Sequence, residues 1–293
     1  MANLKEVRNR IASVGSTMQI TSAMKMVSAS KLRRAQNSVV SLRPYSKLLS
    51  NIISNIMDDT IELMDSPYGR NTKIDNILII VLTSNKGLCG GFNSNIIKEV
   101  KKRIDSICIE DKYVKVDLIS CGKKSSEFFT KLKGCDVIKT IDSIWDDLSF
   151  ENSNKIANQV MDLFVSGQYD RVEIIYNKFK NATTQIISHE DFLPINSLTN
   201  IQDKTINNYY IFEPSKEEII QNIIPQALKI QMFRCLLDSF AAEHGARMTA
   251  MHKATDNAQG LLKELKLSYN KARQATITNE IIEISSGAEA LNG

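Results

Sequence analysis

Hydrophobic positions recur with a helical period at both ends of the chain and with a strand period between them. Stepping alternately three and four residues from Leu4 lands on Leu4, Val7, Ile11, Val14, Met18, Thr21, Lys25, Ser28, Leu32, Ala35, Val39, Leu42, Ser46, Leu49, Ile53 and Ile56. This heptad seam predicts one continuous helix to residue 57, about 85 Å long at ~1.5 Å per residue. Gly15 and Pro44 weaken it, and Pro44 is a candidate kink, but neither is placed to end it. The apolar seam lapses at Thr21, Lys25 and Ser28, where apolar residues move off register to Ile20, Met24, Met26 and Val27. A face that drifts like this predicts a helix that changes partner or touches more than one.

The far end mirrors the first. Ser215 with Glu218 reads as a capping box, Pro225 as a kink or restart, and apolar spacing runs Ile230, Phe233, Leu237, Phe240. After a four-residue stutter at His244 it resumes as Met248, Met251, Thr255, Ala258, Leu262, Leu265, Tyr269 and Ala272. Two long helices at opposite ends of a chain pair antiparallel when a compact domain joins them at one end. With residues 57 and 215 at the base, facing positions have numbers adding to about 272 in such a pair, which sets Met24 near Met248 and Leu4 near Ser268. The last turns then project past the N-terminus, carrying Ile277, Ile281, Ile282, Ile284 and Leu291 without an intramolecular partner. A lone helix of this kind is marginal in water, so something else must enclose it.

Between the helices, NILIIVL (Asn76–Leu82) reads as a buried strand, followed by the glycine-rich turn TSNKGLCGGFN and a helix from about Ser94 to Ile107. KVDLIS (Lys115–Ser120) is a second strand, with a helix from about Lys123 to Leu132 and another near Glu151–Val165. VEIIYNKF and ATTQIISHE read as a hairpin, and YYIF before Glu213 as a last strand. The order argues a fold of class α/β: a long antiparallel two-helix coiled coil formed by both termini, plus a small Rossmann-like α/β domain. The predicted segments are 1–57, 58–214 and 215–293.

Composition adds limits. The 293 residues are 43% hydrophobic, which excludes general disorder, and no apolar run approaches the ~18 residues of a membrane span. No signal peptide is recognisable at the start. Cys89, Cys108, Cys121, Cys135 and Cys235 form no CxxC pair and are odd in number, which argues buried free thiols over a disulfide framework or zinc site. Net charge is only +4, but residues 1–57 hold nine Lys/Arg against Glu6 alone. That end expects a negatively charged neighbour.

Candidate chemistry is thin. Glycines in NKGLCGG follow a strand and precede a helix, where backbone N–H groups can hold phosphate. The turn lacks both the GK[ST] ending and the GxGxxG spacing, so a tight structural turn is the better reading. His189, His244 and His252 match no zinc spacing, and the helical pair eight apart reads as surface. Cys89 reads as a small buried residue before a reactive thiol. The basic N-terminal helix leaves three readings open: a nucleic-acid binder, a transit peptide, or a solvated coiled-coil face. The first lacks aromatic platforms, the second has no reason to sustain a seam, and the third explains Lys25 poorly.

Three segments together resemble the gamma subunit of F-type ATP synthases: ASVGSTMQITSAMKMVSASKLRRAQ, ARMTAMHKATDNAQGLLKELKLSYNKARQATITNEIIEISSGAEAL and the turn SNKGLCGGFN. The resemblance implies a noncatalytic central rotor shaft without cofactor or metal. It implies three alpha and three beta subunits, an epsilon subunit and a membrane c-ring as partners, and a peripheral position on the cytoplasmic face of a bacterial inner membrane, or the matrix face if mitochondrial. Matched residue by residue, contacts with the acidic lever and catch loops of beta fall on Met24, Lys25, Arg247, Arg273, Gln274, Thr278 and Glu280. A C-terminal bearing falls on Ile281, Ile282, Ile284 and Leu291. Asn85-Lys86 stands where the family commonly has Asp-Arg, and Lys25 where some members are acidic.

Overall fold

The structure, a computed structural model, describes residues 4–56, 67–69, 73–111, 113–132, 134–195 and 216–292. The proposed strand at YYIF and the cap residue Ser215 lie outside them. Helix α1 spans Leu4–Ile56 and runs through Gly15 and Pro44 without a break. The last helix, α5, spans Lys216–Asn292 and runs through Pro225, so this proline does not restart it. The first-turn position of a helix tolerates proline, but one within a helix removes a backbone bond that tertiary packing must offset.

The chain divides into two compact units whose boundary cuts both long helices: Ala29–Arg247, and Met1–Ser28 with Met248–Gly293. The first unit holds β1 (Asn76–Leu82), α2 (Phe92–Glu110), β2 (Lys115–Cys121), α3 (Lys123–Phe129), β3 (Asp136–Thr140), α4 (Phe150–Val165), β4 (Arg171–Phe179) and β5 (Gln185–Leu193). The strands form one sheet in the order β3-β2-β1-β4-β5. Pairs β1–β2, β2–β3 and β1–β4 are parallel, and the predicted hairpin β4–β5 closes the edge antiparallel.

Central strand β1 is apolar throughout because both of its faces are covered, as parallel strands require. Ile77, Ile79 and Val81 meet Ile96, Val100, Ile104 and Ile107 of α2 and Phe129 of α3. Leu78, Ile80 and Leu82 meet Ala157, Val160 and Phe164 of α4 and Leu228, Met232 and Leu236 of α5, with Leu49 of α1 in the same cluster. Each such buried side chain contributes roughly 1.5–3 kcal/mol against exposure. Strand β3 was not expected: DVIKT has no apolar alternation, and it is a largely exposed edge strand with a register shift against β2. Cys108 departs from the reading of buried thiols, since it is exposed on α2, whereas the other four cysteines are buried.

In the other unit the heptad seam does not fail. Thr21 and Ser28 are 9% and 2% exposed, at seam positions, whereas Ile20, Met26 and Val27 are 60%, 65% and 58% exposed. The seam continues with small polar residues, and Thr255 Oγ1 donates to Thr21 Oγ1 across the pair at 2.9 Å. Facing numbers add to 276 at Thr21–Thr255 and 277 at Lys25–His252. The expected 272 is close only within the first unit, where Gln226 Nε2 donates to the Tyr45 hydroxyl at 2.8 Å, numbers adding to 271. A four-residue stutter in α5 has no counterpart in α1, so it shifts the pairing by about its own length. Met24 therefore lies level with residue 252 and not with Met248.

Candidate functional site

Helices α2 and α4 cover opposite faces of the sheet, so the chain's winding reverses between β1 and β4. In open α/β sheets that reversal opens a crevice at the carboxyl ends of the strands, the usual place for a ligand. Here the crevice lies beside the turn NKGLCGG, and the protein's own α5 fills it. Ala242 and Ala246 pack on Cys89 and Phe92, with Phe179 alongside. Gly245 has no room for a side chain without displacement: a Cβ there would lie 3.2 Å from the Phe179 ring and 3.3 Å from Ala182 Cα.

The turn is held from within. Ser84 N donates to Asn93 Oδ1 at 3.0 Å, and Asn93 Nδ2 donates to Ser84 Oγ at 2.7 Å and to Cys89 Sγ at 3.2 Å. Asn85 Nδ2 donates to the Asp142 carbonyl at 2.8 Å, and Asn85 Oδ1 accepts from Lys123 N at 3.1 Å. Leu88 and Gly90 take left-handed backbone, φ 63° and 60°. Into this turn reaches a cation: Arg247 Nη2 donates to the Lys86 carbonyl at 2.9 Å and to the Gly87 carbonyl at 3.4 Å. A guanidinium on carbonyl oxygens is the reverse of a phosphate on N–H groups, which supports the structural reading of the turn. Cys89 is 2% exposed, and burial first among several causes raises its thiol pKa, the opposite of activation.

Arg247 is 7% exposed and pairs with Glu243, one helical turn earlier, at 2.6 Å. Burial raises the Glu243 pKa against the opposing pull of Arg247. His244, expected at the surface, is 6% exposed. Its ring lies edge-on to Phe240 with centroids 4.4 Å apart, and burial with nearby Arg247 and Lys31 pushes its pKa down to about 3. The burial of this run follows from the sheet crevice, which no pairing argument between two helices contains. A sequence signal for the ion pair existed in the Glu243, Arg247 spacing at i, i+4.

A second polar joint, not foreseen, fixes α5 to the hairpin. Glu190 accepts from Tyr176 Oη at 2.6 Å, from Arg234 Nη2 at 2.5 Å and from Gln231 Nε2 at 3.4 Å. Among the described residues no group of His, Cys, Asp and Glu side chains is placed to hold a metal.

In the unit of Met1–Ser28 and Met248–Gly293, Met24 and Lys25 are half-buried. Lys25 Nζ lies 3.3 Å from His252 Nδ1, and His252 lies 3.5 Å from Asp256. The seam lysine thus sits in a polar cluster with the partner helix. From Arg273 to Ala288 every residue is exposed, including Arg273, Gln274, Thr278 and Glu280. Ile277, Ile281, Ile282 and Ile284 are 47%, 60%, 56% and 72% exposed. Leu291 is helical, its side chain outside the described residues.

Terminal helices paired with each other, one of them plugging the sheet crevice and ending in bare isoleucines, define a stalk subunit, a protein made to be gripped by others. The chain belongs to the ATP synthase gamma-chain family: the ATP synthase family model matches residues 3–291. It is 52% identical to the ATP synthase gamma chain of Christiangramia forsetii and 41% identical to that of Bdellovibrio bacteriovorus, in each case covering all of both chains. A chain of the Tetrahymena thermophila mitochondrial ATP synthase central stalk and c-ring structure is similar at 28% identity and TM-score 0.58, over 80% of this chain and 99% of that one. A chain of the Euglena gracilis mitochondrial ATP synthase has the same fold at TM-score 0.69 and 20% identity, over 98% of this chain and 94% of that one. No described helix is long and apolar enough to cross a membrane.

Proposed function

We propose that this chain is the central rotor shaft of an F-type ATP synthase, coupling proton movement through the membrane sector to nucleotide chemistry on the beta subunits. The observation that carries the reading is the terminal overhang of α5, sixteen or more exposed residues with an apolar stripe at Ile277, Ile281 and Ile284. Side chains at i, i+4 and i+7 share one helix face, and a lone helix with such a face gains stability only inside a sleeve. A ring of three alpha and three beta subunits supplies that sleeve, with Ile281, Ile282, Ile284 and Leu291 as the bearing. The body Ala29–Arg247 carries the epsilon subunit and the c-ring, on the cytoplasmic face of the membrane and peripheral to it.

Met24, Lys25, Arg247, Arg273, Gln274, Thr278 and Glu280 are the residues we assign to the lever and catch loops of beta. Arg273 and Glu280 are exposed and available to a partner. Lys25 adds positive charge to a helix whose first 57 residues are strongly basic. An asymmetric helical pair turning inside the ring makes different contacts with each beta subunit, and differential contact is what shifts a subunit between open and closed states. The reading predicts that the purified chain restores ATP hydrolysis to alpha and beta subunits that lack a shaft. Failure to do so under conditions where a known gamma chain succeeds would sink it.

A further inference from the structure

Arg247 is the last residue of the body before α5 continues into the other unit at Met248. Three features converge on it within the body. Ala242, Gly245 and Ala246 let the helix backbone sink against Phe92, Phe179 and Ala182. The Arg247 fork spans two elements, taking Glu243 of its own helix with one nitrogen and the Lys86 and Gly87 carbonyls of the turn with the other. The turn is in its own right fastened to α2 through Asn93 and to the segment after β3 through Asn85. A planar guanidinium with divided donors fixes orientation as well as distance, which a lysine ammonium does not.

We propose that Arg247, with Glu243 as its counter-charge, is a positioning residue that latches α5 into the sheet crevice and makes the body and the shaft turn as one. This rests on the rotor reading. It assigns Arg247 an internal task in addition to any meeting with beta: resistance to twist at the point where torque leaves the body. Apolar packing alone is non-directional and lets a smooth helix rotate about its axis at little cost, whereas the latch gives the interface a rotational register.

Cys89 lies under the latch and reports on it. In the full-length chain carrying Cys108→Ser, which removes the exposed thiol, the rate of Cys89 modification by a disulfide reagent is measured with the modified residue identified by mass. Arg247→Ala is expected to raise that rate at least about tenfold, Glu243→Gln by a smaller factor, and Arg247→Lys to an intermediate value, with helix content unchanged. Simultaneous reaction of Cys121 and Cys235 would mark unfolding of the alanine variant, and the Glu243→Gln and Arg247→Lys variants then decide. Unchanged Cys89 rates in the folded variants overturn the latch. In the complex with alpha and beta subunits, a bead on Cys108 of the body reads angular fluctuation while the catalytic cycle is arrested. Arg247→Ala is expected to raise the angular variance about twofold over the unaltered chain. Equal variance overturns the torque role, whereas an unaltered chain that never rotates sinks the rotor reading and leaves the Cys89 result standing.

Discussion

At single residues the tightest constraint is Gly122, between β2 and α3. Its φ is 124°, and a Cβ there would lie 2.2 Å from the Thr83 carbonyl oxygen, a backbone atom that cannot swing aside. Gly122→Ala is therefore expected to cost at least ~3 kcal/mol in urea unfolding, or to prevent folding. His244 carries the clearest pH signature. It is held neutral, with its pKa down at about 3, against ~6.5 in an unfolded chain. Between these values the unfolded chain binds a proton that the folded chain refuses. The stability that depends on neutral His244 is complete above pH 6.5 and falls as the solution is acidified through that window. Glu243, whose pKa is raised, takes up its proton early and contributes with the opposite sign, softening the fall. The loss between pH 7 and pH 5 should shrink by about 1–2 kcal/mol in His244→Gln, read from unfolding curves at the two pH values.

At the scale of elements, α1 separates two properties that heptad reasoning treats as one. Seam position and hydrophobicity part company at Thr21 and Ser28, which are buried, and at Met26 and Val27, which are not. Small residues at the seam let the helices approach closely, and the Thr21–Thr255 hydrogen bond satisfies the polar atoms so enclosed. Ser28→Leu, which restores an apolar heptad, is expected to overpack this seam. Thermal or urea unfolding should show it destabilised by about 1–3 kcal/mol, and a gain in stability would refute the close approach. Sequence order was informative for β1, whose seven residues were legible to the boundary, because an uninterrupted apolar run has few alternatives. Strand β3 was invisible for the converse reason: an edge strand is defined by the neighbour it pairs with, and its exposed residues carry no period.

Across the whole molecule the two ends of α5 face different demands. Near Arg247 the helix is buried by the body, and from Arg273 onward it has no cover within the chain. Deleting residues 277–293 is expected to leave the melting temperature of the isolated chain within about 2 °C of the full-length value, since exposed helix adds little. The same deletion should lower the yield of complex with alpha and beta subunits on gel filtration. Met24→Lys would place a second ammonium beside Lys25 and opposite an acidic lever. We expect it to lower protons pumped per ATP hydrolysed while the chain's melting temperature stays the same, and unchanged pumping would count against the placement of Met24.

Sequence alone determined the two long helices, the α/β order between them and the bare apolar end, because each is written in a period or its absence over many residues. It also carried the family, through three segments whose order and length leave little to chance. The register of the helical pair was misjudged by about one turn in one unit, since a stutter in one helix is neutral until it is set against the other. The sheet crevice, the burial of His244 and the inward grip of Arg247 belong to tertiary structure alone. Residues 83 to 93 and 242 to 247 are far apart in the chain, and only the reversal of winding between β1 and β4 opens a place where an arginine on a helix meets the carbonyls of a turn.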